Sequence, residues 1–417
     1  REGFVTVALS WILMSVIGCL PFVINGDIPH FADALFEMIS GFTTTGATVV
    51  SDVEGLTKGS LFWRSFSHWI GGMGVLVFLL AIVPMAGGSH MNLMKAESPG
   101  PSVGKLVPKV RQTAKYLYII YFALTMIEVI FLLFGGMNLF EALTTSFGTA
   151  GTGGFAIWND GFVSVSPYNQ WVVTIFMLLF GVNFGFYFLI LTGKLRDALK
   201  FEEVRIYFII VIAAAVFIFI NLRHFALYAP AEGIRQAFFQ VASIITTTGF
   251  ASADFNLWPE TSRTILVLLM FIGACAGSTG GGIKVSRFII ACKSFIKEII
   301  SYLHPRSVKK IKIEGKPLEH ETLRATNVYF MTYMVIFAVS VLLVSIENKD
   351  LVTNFAAVAA TFNNIGPGLS LVGPMANFGH FTDFTKYILM FDMLAGRLEI
   401  FPMMLLFCPA VWKRRRA

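Results

Sequence analysis

Apolar residues in this chain are gathered into long runs that are separated by short polar connections. A helix needs about 17–25 mostly apolar residues to cross a lipid bilayer. Eight runs approach or exceed that length, and they cover residues 4–24, 62–85, 116–135, 171–191, 207–222, 264–276, 328–346 and 387–411. The two shorter runs, 207–222 and 264–276, are expected to be interrupted or tilted. The pattern therefore predicts an all-α membrane protein with many spans.

A second, shorter pattern recurs four times, on connections that carry acidic rather than basic side chains. In each copy a short apolar stretch of helical character runs into a polar segment that contains glycine. The anchor glycines of the four copies are Gly46, Gly154, Gly249 and Gly366. One outgoing and one incoming apolar run lie between successive anchors, so the repeating unit is a helix, a half-helix with a loop, and a second helix.

A half-helix of about ten residues is too short to cross the membrane, so it must dip in and return. Non-helical backbone at that depth is tolerated only where protein buries it or where it lines water. Four such loops around one axis would direct backbone carbonyls at a cation and replace its hydration shell. The carboxyl-terminal end of each half-helix would add to the attraction. Ordinary extracellular turn chemistry is the alternative for any single loop.

The repeats predict four tandem helix–pore-loop–helix units with pseudo-fourfold symmetry around one central pore. We place the units at residues 1–90, 91–195, 196–305 and 306–417, and the third contains a glycine-rich intramembrane loop, 273–283. All four units run in the same orientation, whereas an ion-coupled carrier with broken helices would show inverted repeats. An intramembrane enzyme would need a nucleophile with a base, or metal ligands, within the spans. The sequence shows no such set, so we expect no enzyme.

Composition and charge agree with a membrane protein. The chain is 56% hydrophobic and 14% charged, with a mean hydropathy of +0.71 and a net charge of +7. Its basic residues lie in alternate connections and at the carboxyl end; they include Lys95, Lys105, Lys109, Lys194, Arg205, Arg306, Lys309, Lys310, Lys312, Arg324 and the run 413–416. Positively charged connections stay in the cytoplasm. The basicity therefore reflects topology and not a nucleic-acid partner.

Five stretches of the sequence carry specific motifs, at residues 40–48, 63–74, 97–101, 277–284 and 396–402. Together they resemble the Trk/Ktr/HKT superfamily of K⁺ transporters, and within it the bacterial TrkH-type subunits, over essentially the whole chain. The resemblance implies K⁺ uptake through a selective, gated pore in the bacterial inner membrane. An Na⁺-permeable pore or an ion-coupled cation symporter of the same architecture is the alternative. The resemblance also implies a further helix pair ahead of the first unit, so the chain is expected to be truncated at Arg1.

The resemblance assigns the selectivity filter and the partners. Backbone carbonyls around each anchor glycine are implied to bind K⁺, the only metal ion expected; these residues are Thr44, Thr45, Gly46, Thr152, Gly153, Gly154, Thr247, Thr248, Gly249, Asn364, Ile365 and Gly366. Relatives with Ser at the position of Gly46 tend to favour Na⁺, so Gly46 favours K⁺. The implied assembly is a homodimer in membrane lipid with a cytosolic nucleotide-binding TrkA-type regulatory subunit, and no cofactor is expected in this chain.

The sixth apolar run contains a glycine-rich stretch, which should break a helix at about 1 kcal/mol per glycine relative to alanine. A phosphate-binding loop would require Lys where Ile283 stands, and a preceding strand. The resemblance implies instead that this loop obstructs the pore beneath the filter and is moved by the cytosolic subunit. The implied gate residues are Gly277, Ser278, Thr279, Gly280, Gly281, Gly282 and Lys284. A packing kink is the alternative.

Arg397 lies within the last apolar run, where a charge facing lipid would cost at least about 2.5–3.5 kcal/mol. The resemblance implies a positive barrier or an anchor for the glycine loop, and a structural pair with Glu399 or with loop carbonyls is the alternative. Only the third unit has a glycine break in its second helix, and only the fourth has Arg397 there, so gating is expected from the third and fourth units.

Four further polar residues lie in or near apolar stretches. His68 has no second His or Cys at metal-ligand spacing and is expected at the membrane interface. Glu37, Glu128 and Glu141 are candidate electrostatic attractors above the filter, with helix capping or packing as the alternative.

Overall fold

The computed structural model describes residues 2–74, 110–304 and 310–412, which are predominantly helical. The helices are α1 (Glu2–Asn25), α2 (Phe31–Phe42), α3 (Lys58–Gly72), α4 (Val110–Phe134), α5 (Leu139–Gly151), α6 (Pro167–Phe180), α7 (Phe184–Leu191), α8 (Leu195–Ala198), α9 (Glu202–His224), α10 (Pro230–Ile245), α11 (Glu260–Ile272), α12 (Val285–Leu303), α13 (His320–Val344), α14 (Leu351–Phe362), α15 (Asp383–Arg397), α16 (Phe401–Leu406) and α17 (Pro409–Trp412). Strands β1 (Lys312–Ile313) and β2 (Lys316–Pro317) form a short antiparallel hairpin.

Some sequence predictions lie outside the described residues. They are the motif 97–101, the end of the run 62–85, the boundary between the first two units, and the basic residues Lys95, Lys105, Lys109, Arg306, Lys309 and 413–416. The unit boundaries as a whole stay predictions.

The first helix of each unit, which we call its outer helix, is long and apolar enough to cross a membrane: α1, α4, α9 and α13. By length and composition, four helices of the described chain can cross a membrane, or five if the bent pair α6 and α7 is one span. Helix α9 passes without a break through residues 207–222, so of the two expectations for this run the interruption was wrong and the tilt stays a prediction. The apolar run is shorter than the helix because polar residues such as Glu202 and His224 form its ends.

The second helix of each unit, its pore helix, is short and mostly buried: α2, α5, α10 and α14, of 12, 13, 16 and 12 residues. These helices are too short to cross a bilayer. Side-chain caps start two of them. Asn138 and Glu141 form a reciprocal capping box at α5, and the Asp350 carboxylate accepts the Thr353 N–H at 3.0 Å at α14. Glu141 is thus a helix cap, which was one of its two interpretations.

The third helix of each unit, its inner helix, ends beside the carboxyl end of a pore helix: α3, α6, α11 and α15. A Cβ added at Gly71 would lie 1.9 Å from the Phe42 carbonyl oxygen, and one added at Gly396 would lie 2.1 Å from that of Phe362. These glycines allow inner and pore helices to approach closely.

The inner helix of the third unit ends at the glycine-rich stretch, and the inner helices of the second and fourth units are also followed by breaks. In the second unit the chain turns by 89° between α6 and α7. In the fourth unit Glu399 and Ile400 have φ of +61° and +64° between α15 and α16. Neither break is rich in glycine, so the sequence pattern gave no signal for them. Packing beneath the pore helices overrides local helix propensity at these places.

The four units close into a ring. Each inner helix packs against the pore helix of the next unit, and the inner helix of the fourth packs against the pore helix of the first. The contacts include Trp69 with Phe147, Trp171 with Phe238, Phe271 with Phe355, and the Lys386 ammonium with the Asp33 carboxylate at 2.5 Å. This closure gives the described chain its pseudo-fourfold arrangement.

Candidate ion pore and gate

The four polar loops that follow the pore helices share one backbone conformation. The anchor glycines have φ of +77°, +78°, +83° and +96° at Gly46, Gly154, Gly249 and Gly366. The residue two positions earlier is also left-handed, with φ of +54°, +54°, +58° and +55° at Thr44, Thr152, Thr247 and Asn364. Left-handed backbone is strained for Thr and better tolerated by Asn. The divergent fourth loop therefore keeps the conformation of the other three.

Each anchor glycine faces a carbonyl oxygen of the next loop. A Cβ added at Gly46 would lie 1.9 Å from the carbonyl oxygen of Gly153. The same distance separates a Cβ added at Gly154 from the oxygen of Thr248, and one added at Gly249 from the oxygen of Ile365. A Cβ added at Gly366 would lie 2.7 Å from the Thr45 oxygen. The loop of the first unit thus faces the loop of the second, the second faces the third, the third faces the fourth, and the fourth faces the first. The structure thus brings the twelve predicted filter residues together in a closed ring of backbone.

A cavity lies above this ring and is lined by all four anchor glycines. Its wall also includes Thr48, Phe155, Phe250 and Met375. Gly46, Gly154 and Gly249 are partly exposed to it, whereas Thr45, Gly153, Thr248 and Ile365 beneath them are buried. The cavity therefore forms a vestibule that leads from the acidic side of the protein to the ring.

His68 connects the first two loops and is fully buried, so its expected place at the membrane interface was wrong. Its Nδ1 lies 2.7 Å from the Gly41 carbonyl oxygen, and its Nε2 accepts the Phe155 N–H at 3.2 Å. These partners select the neutral tautomer with the proton on Nδ1. A side chain at Gly153 would meet the His68 ring at 2.2 Å. The position of His68 depends on this tertiary packing, which sequence spacing does not reveal.

Glu37 fixes the outer end of the first loop through a buried ion pair. Its carboxylate lies 2.7 Å from Nη2 of Arg64, and it accepts the Thr48 hydroxyl at 2.9 Å and the Val49 N–H at 3.1 Å. Glu128 is fully buried on α4. Neither carboxylate is among the residues that line the vestibule. The contacts of Glu37 and the burial of Glu128 therefore match a packing role, which was the alternative, better than a role in attracting ions.

The glycine loop lies directly beneath the third and fourth filter loops. The Gly281 N–H donates to Oγ1 of Thr247 at 2.6 Å. An added Cβ at Gly280 would lie 2.9 Å from the Thr246 oxygen, and one at Gly281 would lie 2.7 Å from the Asn363 oxygen. The backbone of the glycine loop therefore lies against the filter loops, with no room for a side chain at Gly280 or Gly281.

The broken inner helix of the second unit holds one side of the glycine loop. The Gly181 carbonyl accepts the Cys275 N–H at 3.0 Å, and the Phe184 N–H donates to the Gly277 carbonyl at 3.0 Å. A helix break leaves backbone groups without their helical partners, and buried groups of this kind must pair elsewhere. The second unit thus takes part in holding the loop, beyond the third and fourth units named from sequence.

Two buried cations hold the other side of the loop. Arg397 donates from Nη1 to the Thr279 carbonyl at 2.8 Å, and from Nη2 to the Gly71 and Gly72 carbonyls at 2.5 and 2.8 Å. Lys284 donates from Nζ to the Gly280 carbonyl. The side chains of Lys284 and Arg397 are 1% and 8% exposed. Positive charge is thus concentrated at the loop, and Arg397 also ties it to the inner helix of the first unit.

Glu399 lies close to Arg397 in sequence but pairs with Arg287, through Nη2 of that guanidinium. The guanidinium carbon of Arg287 lies 3.9 Å from the centroid of the Tyr329 ring. The structural alternative for Arg397 was a pair with Glu399 or bonds to loop carbonyls. The contacts match the second of these.

Glu203 is a functional candidate that sequence reasoning missed. Its carboxylate accepts backbone N–H groups from both ends of the glycine loop. In sequence, Glu202 and Glu203 look like the acidic first turn of any helix, which complements the helix dipole. Only the fold brings this turn to the base of the loop.

Comparison with known proteins decides the family. Residues 1–414 match the TrkH family, which is described as a cation transport protein. This chain belongs to the TrkH family. TrkH-family chains are transporters and not enzymes, and the helical membrane fold with pore-loop units agrees with the prediction from sequence. The chain is multi-pass, and the inner membrane is the location consistent with the family.

Individual relatives match over almost the entire chain. The Trk system potassium uptake protein TrkH of Escherichia coli K12 is 38% identical, over 99% of this chain and 86% of that protein. TrkG of the same organism, also a Trk system potassium uptake protein, is 33% identical over 99% of this chain and 86% of its own length. The crystal structure of the potassium transporter TrkH from Vibrio parahaemolyticus superimposes with a TM-score of 0.87 at 35% identity, covering 99% of this chain and 86% of that one.

Proposed function

We propose that this chain takes up K⁺ through a selective, gated pore, as the translocation subunit of a Trk-type system. The single observation that carries the proposal is the closed ring in which each anchor glycine faces a carbonyl oxygen of the next loop. A ring of carbonyls replaces the water shell of a cation at little cost when its backbone is held in advance. The names of the relatives, Trk system potassium uptake proteins, support K⁺ as the ion.

The proposed K⁺ ligands are the backbone carbonyls around the four anchor glycines. Pore helices α2, α5, α10 and α14 end at these loops, so their partial negative charges add to the attraction for a cation. The residues are Thr44, Thr45, Gly46, Thr152, Gly153, Gly154, Thr247, Thr248, Gly249, Asn364, Ile365 and Gly366. No cofactor enters this mechanism.

The proposed gate is the glycine loop with Lys284 and Arg397. The loop touches the filter from beneath, and the two buried cations repel a K⁺ that leaves the filter. Conduction then requires the loop to move aside and Arg397 to release the Thr279 carbonyl. Hydrogen bonds to a charged group are worth about 1.5–3 kcal/mol each, so an external input is needed.

A cytosolic nucleotide-binding subunit of the TrkA type is the proposed source of that input. The β1–β2 hairpin supports this, since it lies in a basic connection that the charge pattern assigns to the cytoplasm. We also propose that two pore chains pair within membrane lipid. Exposed apolar side chains on the outer helices, such as Leu13 and Ile209, suit both lipid and a second copy.

The test is ⁸⁶Rb⁺ flux into liposomes that contain the purified chain, with and without its regulatory subunit. K⁺ uptake predicts flux that excess K⁺ suppresses and equal Na⁺ does not. Equal suppression by Na⁺ would favour the Na⁺-permeable alternative, and flux that requires a proton or Na⁺ gradient would favour the symporter. Absence of flux in every condition, together with failure to rescue a strain that lacks K⁺ uptake, would overturn the proposal.

A further inference from the structure

The glycine loop is closed at its base by one carboxylate oxygen. Oε1 of Glu203 accepts the Ala276 N–H at 2.7 Å and the Ser286 N–H at 3.0 Å. Ala276 directly precedes the gate residues, and Ser286 lies in the first turn of α12, so this oxygen joins the two arms of the loop. Beside it, the Val285 N–H donates to the Ala274 carbonyl at 3.0 Å.

This contact differs in kind from the other contacts of the loop. Gly181 holds the entering arm, Thr247 holds the tip, and Arg397 holds the Thr279 carbonyl. Among these contacts, that of Glu203 joins both arms of the loop through a single side chain. It also brings negative charge to a loop whose other charged contacts include the cations Lys284, Arg287 and Arg397.

The surroundings of Glu203 make its contact strong. The side chain is 7% exposed, so water competes little for its oxygens. Hydrogen bonds to a charged group contribute about 1.5–3 kcal/mol each. The carboxylate also lies at the amino end of α12, where the helix dipole favours a negative charge. Glu203 belongs to α9, an outer helix that spans the membrane, so the arms are tied to a fixed element of the scaffold.

The neighbouring carboxylate connects the same helix end to the cytoplasmic hairpin. Glu202 pairs with Lys293 of α12 at 2.6 Å, and Nζ of Lys293 donates to the Lys312 carbonyl of β1 at 2.8 Å. A force on the hairpin therefore reaches α12 and the start of α9, one residue away from Glu203.

We propose that Glu203 is a positioning residue that keeps the glycine loop closed by joining its two arms. The inference rests on the proposed pore and gate, and it adds the contact whose release permits opening. Separation of α12 from α9 removes the Ser286 bond, after which the arms spread and the loop leaves the filter.

Cys275 provides a reporter of this opening that does not depend on ion flux. It lies in the entering arm and is fully buried. The other cysteines of the chain, Cys19, Cys292 and Cys408, are replaced by serine or alanine, so that a maleimide reacts only at Cys275. Labelling rate and ⁸⁶Rb⁺ flux are then measured on the same liposomes, without the regulatory subunit.

Three variants in that background test the proposal. Glu203→Ala should raise both labelling and flux by at least about tenfold, since it removes two bonds to a charged acceptor. Glu203→Gln keeps an acceptor oxygen without the charge and should raise both by roughly threefold. Glu298→Gln removes an exposed carboxylate of α12 and should match the parent chain.

The outcomes separate this inference from the proposed function. Parent-like labelling of Cys275 in a folded Glu203→Gln chain, with thermal unfolding unchanged, would overturn it, and this variant decides if Glu203→Ala does not fold. Increased labelling without ⁸⁶Rb⁺ flux in any variant would support the closed-loop role and contradict the pore. Increased labelling in Glu298→Gln as well would show a general loosening of α12 and would also overturn the role of Glu203.

Discussion

The ring of four loops that we propose as the filter and the layer beneath it are built in different ways. In the filter, four loops repeat one backbone conformation, and each anchor glycine meets the next loop in the same manner. In the layer beneath, one glycine loop is held by unlike side chains of the third and fourth units, namely Glu203, Lys284 and Arg397. A cation needs an even shell of ligands, which backbone supplies without regard to side chains. A gate must move, and moving one loop that a few charged side chains hold costs less free energy than moving four loops.

The largest effect that we expect comes from Gly46→Ala in the filter. The new Cβ would lie 1.9 Å from the Gly153 carbonyl oxygen, so the first two loops must shift apart to relieve the clash. We expect a loss of about 3 kcal/mol or more in unfolding free energy and a weaker preference for K⁺ over Na⁺ in the remaining flux. Gly26→Ala is the matched control, because Gly26 has φ +79° with no atom within 4 Å. It should cost only about 1–2 kcal/mol. Similar losses in thermal unfolding would contradict the ring.

Arg397→Ala tests the layer beneath and should have the next largest effect. It removes the bonds to the Thr279, Gly71 and Gly72 carbonyls together with a buried charge. Flux of ⁸⁶Rb⁺ without the regulatory subunit should rise by about tenfold or more. Arg397→Lys keeps the charge and should give a smaller rise. A chain that unfolds without any rise in flux would point to a purely structural role.

His68→Gln tests how the filter loops are held to each other. Glutamine can replace one of the two hydrogen bonds of the ring, to Gly41 or to Phe155, but not both in the same geometry. We expect a loss of about 1–2 kcal/mol, seen as a lower melting temperature. His30→Gln, at an exposed position, should leave the melting temperature unchanged. A His68→Gln chain as stable as the parent would show that His68 does not hold the filter loops to each other.

The smallest predicted effect distinguishes two equivalent threonines. Oγ1 of Thr247 accepts the Gly281 N–H, whereas Oγ1 of Thr44 has no hydrogen-bond partner among the described residues. Thr247→Val should therefore loosen the loop by about 1 kcal/mol and raise flux without the regulatory subunit roughly fivefold. Thr44→Val should leave that flux unchanged. Equal rises would show that the loop does not single out the third filter loop.

The four loops that we propose as the filter were predictable from sequence because their backbone requirement is local. Left-handed backbone at Gly46, Gly154, Gly249 and Gly366 calls for glycine, and repetition makes the signal visible. The left-handed threonines were not anticipated, since Thr disfavours that conformation and only the packed ring holds it. The substitution of Asn at 364 is compatible for the same reason, because Asn tolerates left-handed backbone.

The contacts that hold the gate were less predictable, because they are tertiary. Arg397 and the glycine loop were noticed as a charge and a helix breaker inside apolar runs. Glu203 and His68 looked like an ordinary helix start and an interfacial residue. Their roles depend on which backbone groups the fold leaves unpaired nearby, such as the N–H groups of Ala276 and Phe155. Local propensity contains no information about those pairings.

The most direct test of the division between the filter loops and the layer beneath them compares two variants, Gly46→Ser and Arg397→Ala. For each, the K⁺/Na⁺ permeability ratio is measured from reversal potentials in planar bilayers. We predict a lower ratio in Gly46→Ser, and a larger conductance with an unchanged ratio in Arg397→Ala. An altered ratio in Arg397→Ala, or an unchanged one in a conducting Gly46→Ser chain, would contradict that division.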